Sequence, residues 1–262
     1  YGSLLPVHLV AVPWKDAQGK IQGFYGFAED ISLRRRVDQV KTNLIRDVSH
    51  ELKTPVAIIE MAYDLCRRGL VDNDRQRIEK SIDIGMANVK RLNNDLDRIL
   101  YMAALEKEEL PQKQKISLKD IFGEIFKTTG FIIKEKGLYL KLNIAEDAGM
   151  IFGDKKMIRT LFSSIIDNAV KFTEHGGIKI TSRLKEERVQ VCVRDTGKGI
   201  DKDILNNVFN KFFKQYPSSP GIGLGLSIAK EIIRKHSGNI IIKSPGINKG
   251  VSVIVTLDKA KR

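Results

Sequence analysis

Residues 78–103 read IEKSIDIGMANVKRLNNDLDRILYMA, and the spacing of their apolar side chains predicts the fold of this half of the chain. Apolar or small residues recur at alternating steps of four and three, at Ile78, Ile82, Gly85, Val89, Leu92, Leu96, Ile99 and Ala103. This heptad pattern is typical of a helix that packs lengthwise against other helices. Asp72-Asn73-Asp74 offers an N-cap just before it. The stretch therefore predicts a long amphipathic helix.

A second helix pattern precedes this one, from Ser32 to a plausible C-terminal stop at Gly69. Its apolar positions also follow three- and four-residue steps, at Val37, Val40, Leu44, Val48, Leu52, Ile59, Ala62 and Cys66. Two long helices joined by a short loop predict a helical hairpin. Because a lone hairpin leaves its apolar seam half covered, we expect two copies to pair into a dimeric four-helix bundle.

The segments on either side of the hairpin have different patterns. Residues 5–29 predict two strands around a turn at 16–19, and two strands alone are not stable. Because the chain also begins mid-fold, at Tyr1, we expect it to be a fragment of a longer protein.

Residues 106–115 are charged and contain a proline, as in a linker. From 116 to 257 the pattern is mixed, with helices at 118–136, 154–171 and 224–236 and strands near 138–144, 178–184, 188–194, 239–244 and 251–257.

Composition narrows the classes of partner. The 262 residues carry a formal net charge of +13, which serves solubility or favours an anionic partner. The basic residues are not interleaved with aromatic ones on one face, which argues against nucleic acid. The two cysteines, Cys66 and Cys192, have no metal-ligand spacing and are expected to be reduced core thiols. No apolar run approaches the ~20 residues that span a bilayer, and no signal peptide opens the chain.

One histidine lies in a setting suited to chemistry. His50 sits in SHELKTP, residues 49–55, at roughly 160–200° around the helix from the apolar Val48 and Leu52, so it should face solvent. Glu51 is placed to accept the ring proton of His50, and Thr54 lies one turn away on the same side. Pro55 removes a backbone donor and loosens the helix. A lone exposed histidine is usually an ordinary surface residue, and we take that interpretation for His8, His175 and His236.

Three later segments carry groups suited to a nucleotide. Asn168 and Lys171 share one helix face, where an amide oxygen suits Mg²⁺ and a lysine suits phosphate. Asp195-Thr196-Gly197-Lys198-Gly199-Ile200 follows a strand, so its carboxylate can accept a hydrogen bond from a base. Gly221-Ile222-Gly223-Leu224-Gly225-Leu226 opens a helix, where glycines let the backbone approach phosphates.

Each of these segments alone is weak, since a solvated helix end, a turn or a glycine-rich loop explains it equally well. The glycine string does not fit a Rossmann fold, because the required strand and βαβ unit are missing around it. It does not fit a protein-kinase loop either, because the accompanying signatures are absent.

Taken in order, SHELKTP, DNAVKFT, DTGKGI, FNKFF and GIGLGL closely resemble the H, N, G1, F and G2 boxes of two-component sensor histidine kinases. The resemblance covers roughly residues 32–258. It implies a multi-domain chain, with a dimerisation and phosphoacceptor domain at 32–107, a linker at 108–115 and a catalytic ATP-binding domain at 116–258. The last would be an α/β two-layer sandwich of the type shared with gyrase, the heat-shock chaperone ATPase and MutL. Residues 1–31 resemble the end of a PAS sensor domain.

The resemblance also implies residue roles. His50 would be the phosphoacceptor, Glu51 its general base, and Thr54 would position a water for dephosphorylating a partner. Asn168 would coordinate Mg²⁺, Lys171 would meet phosphate, and Asp195 would accept the adenine amino group. The remaining ATP-binding residues would be the base-pocket glycines Gly197 and Gly199, Lys214 after the F box, and Gly221, Gly223, Gly225 and Leu226 at the phosphates. Residues 201–220 would form a mobile lid, and the linker and Pro55 would be further hinges.

Two positions depart from the family pattern. Ser164 replaces an asparagine often found four residues before the Mg²⁺ ligand, which removes a second amide near the metal. Lys214 stands where an arginine is common, and lysine keeps the charge without the bidentate fork. Neither change predicts an inactive enzyme.

The resemblance implies ATP-dependent autophosphorylation of His50 and transfer to an aspartate of a response regulator, by a homodimer on the cytoplasmic side. A membrane anchor would lie in parts of the parent protein outside this chain. Two other classes compete: a dimeric scaffold that binds ATP and a receiver without turnover, and another ATPase of the same fold. The intact motif residues argue against the first, and the histidine motif on a heptad helix argues against the second.

Overall fold

The computed structural model describes residues 5–107, 110–216, 219 and 221–260, with the side chains of 34, 36–45 and 47 outside the description. Backbone contacts divide the chain into two units, Tyr1–Thr54 and Pro55–Arg262. One long helix, α1 (Ser32–Val71), has residues in both units.

The first unit contains an antiparallel strand pair, β1 (Val7–Lys15) and β2 (Ile21–Asp30), followed by the start of α1. The Asp16 carboxylate closes the turn by accepting hydrogen bonds from the backbone N–H groups of Gln18 and Lys20. Large apolar side chains such as Phe24 remain exposed on these strands. The predicted seam positions Val37, Val40 and Leu44 lie outside the described side chains.

The predicted helical hairpin is confirmed in the second unit, where the end of α1 packs on α2 (Arg75–Leu105). Asp74 caps α2 as predicted, since its side chain accepts from the Arg77 N–H. The predicted stop at Gly69 is wrong: α1 continues to Val71, and the left-handed residue of the turn is Asn73, with φ 52°. A Cβ at Gly69 would lie 2.9 Å from Ile78 Cγ1, so glycine is needed there for the close approach of the two helices.

The mixed α/β part confirms the predicted two-layer sandwich. Its elements are β3 (Gln114–Ser117), α3 (Leu118–Glu135), β4 (Tyr139–Ile144), β5 (Met150–Gly153), α4 (Lys155–Phe172), β6 (Gly177–Lys185), β7 (Arg188–Asp195), α5 (Gly225–Lys235), β8 (Asn239–Lys243) and β9 (Ser252–Asp258), with 3₁₀ turns at Glu146–Ala148 and Lys202–Ile204. Five of the strands form a sheet of order β4-β6-β7-β9-β8, parallel between β4 and β6 and antiparallel elsewhere. Alternate residues of β7 (Val189, Val191 and Val193) are buried under the helices, while their neighbours are more exposed.

Two strands were not predicted. β3 and β5 form a separate antiparallel pair in which Ile116 lies opposite Ile151. β3 begins at Gln114, within the segment predicted to be a linker. Both isoleucines are buried in the main core, so the pair extends the hydrophobic core beneath α3 and α4. Within the described part of the chain, every helix is too short or too polar to cross a lipid bilayer.

His236, predicted to be an ordinary surface residue, is instead 1 % exposed. Its Nε2 accepts a hydrogen bond from the Asp154 N–H at 3.0 Å, and its Nδ1 lies 2.8 Å from the Ile232 carbonyl oxygen. Burial lowers the pKa of His236. The ring therefore links the end of α5 to the N-cap of α4 as a neutral, structural histidine.

Candidate functional site

His50 lies exposed on α1, as the sequence predicts. Glu51, its neighbour in the helix, is half-buried, and Thr54 lies one turn further on with its side chain exposed. The Thr54 hydroxyl donates a hydrogen bond to the backbone carbonyl oxygen of His50 at 3.3 Å. The helix continues through Pro55. The segment thus presents an imidazole, a carboxylate and a hydroxyl within about one helical turn.

A cavity of about 190 Å³ lies in the second unit, between α4, the end of β7 and the chain that leads into α5. Its lining includes nine of the ten residues that the sequence predicts for nucleotide binding. These are Asn168, Lys171, Asp195, Gly199, Lys214, Gly221, Gly223, Gly225 and Leu226. The fold therefore brings together in one place segments that are up to 58 residues apart in the sequence.

Gly197 is the exception, since it does not line the cavity. A Cβ at this position would clash with the carbonyl oxygen of Phe172, at the end of α4. The Phe172 oxygen also accepts a hydrogen bond from the Lys198 N–H at 3.1 Å. Gly197 therefore lets the loop after β7 pack directly on the end of α4, behind the cavity wall.

Asp195 provides a buried carboxylate at the cavity, with 8 % of the residue exposed. Its Oδ1 accepts hydrogen bonds from the N–H groups of Gly197, at 2.9 Å, and Val251, at 3.1 Å. Burial nevertheless raises the pKa of Asp195, against the effect of these hydrogen bonds. The sequence did not point to Val251, which holds the carboxylate from β9's side of the sheet.

Gly199 shows why the loop after β7 is rich in glycine. It has φ +65°, and a Cβ there would clash with the carbonyl oxygen of Gly246. The 246–250 loop is held nearby by hydrogen bonds from the Asn248 N–H to the Lys198 oxygen and from the Gly250 N–H to the Gly197 oxygen. The 246–250 loop thus supports, by direct backbone contact, the loop whose Gly199 lines the cavity.

Asn168 and Ser164 lie on α4 beneath the first turn of α5. A Cβ at Gly225 would lie 3.4 Å from Asn168 Nδ2 and 3.9 Å from Ser164 Cβ. Ser164 is buried at this contact. The described residues contain no group of three or more His, Cys, Asp or Glu side chains that could hold a metal ion. A single amide oxygen fits Mg²⁺ held mainly by phosphate oxygens and water, which is its usual coordination in nucleotide sites.

Lys171 stands in a strongly cationic environment. Its pKa is lowered to about 8, chiefly by burial and then by the charges of Lys214, Arg98 and Arg91, while Asp95 acts in the opposite direction. Concentrated positive charge inside a partly desolvated cavity favours a polyanionic ligand.

The chain before α5 forms the remaining wall. The Phe212 N–H donates to the Gly223 carbonyl oxygen at 3.1 Å, and a Cβ at Gly223, where φ is +72°, would lie 2.7 Å from the Phe212 carbonyl carbon. Gly223 therefore allows the F and G2 boxes to pack together. Lys214 Nζ donates to the Ser219 carbonyl oxygen. Of the predicted lid, residues 217, 218 and 220 lie outside the description.

The sequence did not indicate the residue that α2 contributes to the cavity. Arg98 lines the cavity, and its Nη2 lies 3.1 Å from Oδ2 of Asp167, another lining residue. Their positions are 69 residues apart, so no local pattern could have indicated the pair.

Two protein-family models match successive parts of the chain. The His Kinase A (phospho-acceptor) domain matches residues 40–121. The histidine kinase-, DNA gyrase B- and HSP90-like ATPase family matches residues 153–261. The match to the second family supports the use of ATP.

The chain is also similar to a sensor protein and to a histidine kinase of known structure. The chain is 30% identical over 254 residues to the sensor protein SrrB of Staphylococcus aureus strain MRSA252, covering 94% of this chain and 42% of SrrB. It therefore spans less than half the length of that relative. The histidine kinase ThkA, in its crystal structure with the response regulator protein TrrA, shares the fold, with a TM-score of 0.69 at 22% identity over 98% of this chain and 80% of ThkA. The structure of the isolated catalytic domain of ThkA matches with a TM-score of 0.51 and 26% sequence identity, over 56% of this chain and 96% of that domain.

The phosphoacceptor and ATPase models follow one another along residues 40–261, in the order of the helical hairpin and the α/β sandwich. By this pairing of domains and by its similarity to SrrB, the chain belongs to the sensor histidine kinases of two-component systems.

Proposed function

We propose that this chain is an ATP-dependent protein-histidine kinase that phosphorylates His50 and passes the phosphoryl group to an aspartate of a response regulator. The observation that carries the proposal is the cationic cavity that contains Asn168, Lys171 and Asp195, in a chain that also displays His50. A dimeric scaffold that binds ATP and a receiver without turnover would share this cavity, so phosphorylation of His50 is the property that separates the two functions.

The cavity's two ends suit the two ends of ATP. Both described hydrogen bonds to Asp195 engage Oδ1, so Oδ2 is the oxygen that would accept the adenine amino group. Lys171, Lys214 and the backbone of Gly221, Gly223 and Gly225, with Leu226, would surround the phosphates. Gly199 would line the base pocket, while Gly197 would act indirectly by letting that wall pack.

Asn168 would hold Mg²⁺ through its amide oxygen, and the ion would neutralise phosphate charge when bound. Ser164 is buried under Gly225, so its role would be to let α5 approach α4 closely.

The chemistry at His50 needs a nucleophilic ring nitrogen. That nitrogen would attack the γ-phosphorus in line, so that a P–N bond forms and the bond to the β,γ-bridging oxygen breaks, releasing ADP. The proton of the other ring nitrogen would be accepted by Glu51. Exposure of His50 would then allow a receiver aspartate to reach the phosphoryl group.

The partners and domain limits are also part of the proposal. Residues 32–107 would form the dimeric four-helix bundle, 108–115 the linker, 116–258 the catalytic domain and 1–31 the end of a PAS domain. The kinase core would lie in the cytoplasm, with any membrane anchor elsewhere in the parent protein. ThkA crystallised in complex with a response regulator protein, which supports a receiver domain as the partner here. Thr54, through its oxygen lone pairs, would orient a water that dephosphorylates the regulator.

Autophosphorylation tests the proposal. Purified protein incubated with ATP labelled in the γ-phosphate should gain an acid-labile, base-stable label, and His50→Gln should gain none. Asn168→Asp should also remain unlabelled while staying dimeric, because it alters the proposed metal ligand without touching the hairpin. Equal labelling of wild type and His50→Gln would refute the assignment.

A further inference from the structure

Helix α2 presents to the nucleotide cavity a face distinct from its apolar seam. Five residues at alternating steps of four and three make up this docking stripe, namely Arg91, Asp95, Arg98, Met102 and Leu105. Each of these residues precedes or follows one of the apolar seam positions of residues 78–103 by one or two residues. Because successive residues turn by about 100° around a helix, the stripe lies on a different face from the seam. α2 therefore has two specialised faces.

The C-terminal part of the docking stripe belongs to the α/β core. Met102 and Leu105 are 7 % and 3 % exposed and belong to the main hydrophobic cluster. Further contacts hold the same end: Glu106 forms an ion pair with Lys211, and Lys235 Nζ donates to the Lys107 carbonyl oxygen at 2.7 Å. Docking of this end of α2 thus fixes the position of the charged, N-terminal part of the stripe, Arg91, Asp95 and Arg98.

That charged part meets the cavity. Asp95 is 4 % exposed, and its Oδ2 lies 3.8 Å from Nε of Arg91. Its Oδ1 is close to the cavity residue Gly221, at 3.8 Å from the position that a Cβ would take there. Arg98 lines the cavity beside Lys171 and pairs with Asp167, next to the proposed Mg²⁺ ligand. Burial raises the pKa of Asp167, and the Arg98 charge opposes that shift.

The charge balance favours an anion at Arg98. Arg98, which lines the cavity, and Arg91 both depress the pKa of Lys171, so each of them repels the Lys171 charge. A bound polyphosphate would turn this repulsion into attraction. A guanidinium carries five N–H donors in a planar fork, so pairing with Asp167 through Nη2 is compatible with donation to a phosphate oxygen.

We propose that Arg98 of the hairpin is a phosphate-binding residue of the nucleotide cavity, so that a nucleoside polyphosphate and the docked α2 helix stabilise each other. The proposal rests on the proposed function only in taking a nucleotide as the ligand. By linkage, docking of α2 raises the nucleotide affinity by the same factor by which bound nucleotide strengthens docking. A signal that moves the hairpin would then change the affinity of the site.

Calorimetric titration of the whole chain with ADP and Mg²⁺, and separately with adenosine, tests the contact. Arg98→Gln should raise the Kd of ADP about tenfold, the effect of losing one charge-assisted hydrogen bond. The Kd of adenosine, which has no phosphate, should stay within about twofold. Arg98→Lys should recover part of the ADP affinity.

Arg75→Gln is the matched control, because it removes the same charge from the same helix at a residue whose side chain is 91% exposed. It should leave both affinities unchanged. Equal weakening of ADP and adenosine by Arg98→Gln would overturn the proposal in favour of a structural role. Tighter ADP binding would overturn it in favour of a contact that closes the site against nucleotide.

Hydrogen exchange gives an independent readout of linkage. ADP with Mg²⁺, but not adenosine, should slow amide exchange in residues 95–105 of the wild type, and Arg98→Gln should abolish this protection. Unchanged protection in Arg98→Gln would contradict the coupling. These results are separable from the kinase assignment. The γ-phosphate label could fail to reach His50 while phosphate-dependent binding at Arg98 persists, and His50 could be labelled although Arg98 does not contact the phosphates.

Discussion

The His50 segment and the nucleotide cavity differ in how much of the chain contributes to them. Around His50, the described interaction comes from its own helical turn, and the side chain is exposed. The cavity combines residues of α2, α4, the end of β7, Val251 and the start of α5. Its charged groups Asp195 and Lys171 have pKa values shifted by burial.

This difference matches two different tasks. A phosphoacceptor must meet ATP and then a receiver, so it benefits from exposure and needs little support. A nucleotide site must hold one ligand in a fixed geometry, so it relies on close backbone packing and partly desolvated charges. Substitutions should therefore affect folding and binding at the cavity, and chemistry alone at the His50 segment.

The largest effect is expected from a Cβ in the wall of the cavity. Gly199→Ala combines a positive φ with a clash against the Gly246 backbone and should lower the free energy of unfolding by about 3 kcal/mol. Urea unfolding followed by circular dichroism measures this change.

Gly137→Ala is its matched control, because Gly137 has φ +64° but nothing within 4 Å of the added Cβ. Only backbone strain of about 1 kcal/mol should remain there. If both variants lost the same stability, crowding in the cavity wall would not explain Gly199.

An intermediate effect is expected from pH. With a pKa of about 8, Lys171 is charged below that pH and loses its proton above it. Phosphate binding favours the charged form of Lys171. The affinity for ADP should therefore not change with pH below about pH 8, and above it should fall, toward about tenfold per pH unit.

Titrations with ADP between pH 7.5 and 9.5 check this, with adenosine as the phosphate-free reference. Lys171→Arg should remove the decline, because arginine stays protonated throughout this range. The same decline in Lys171→Arg would show that another group causes it.

The regular elements could be predicted because their signals are local. The 78–103 seam, the Asp74 cap and the alternation in β7 each depend on neighbours a few residues away. Position on the helix was also sufficient to predict that His50 is exposed. The α/β sandwich followed from the order of the motifs rather than from any one of them.

What could not be predicted depends on long-range contacts. β3 is only four residues long, and its first two residues end the charged segment 106–115, so this part resembled a linker until it paired with β5. His236 is buried where the backbone N–H of Asp154, 82 residues earlier, donates a hydrogen bond to its ring. Arg98 reaches the cavity because α2 docks on the sandwich, and Gly197 packs behind the wall because Phe172 lies there.

The smallest effect on stability is expected at the His50 segment. Thr54→Ala should change the free energy of unfolding by less than about 0.5 kcal/mol, because the exposed hydroxyl contributes only one local hydrogen bond. The same variant should keep autophosphorylation but dephosphorylate the regulator more slowly. Unchanged regulator dephosphorylation would remove the role proposed for Thr54, and Thr54→Ser, which keeps the hydroxyl, is the control.

The central claim, that His50 is the exposed acceptor served by the buried nucleotide site, is tested most directly by mapping the phosphoryl group. Trypsin digestion of ATP-treated protein at alkaline pH should release residues 47–53, DVSHELK, since Arg46 and Lys53 flank it. Fragmentation by mass spectrometry should place the phosphoryl group on His50, and Asn168→Asp should yield only the unmodified peptide. A phosphoryl group on Ser49 or on a different peptide would contradict the account.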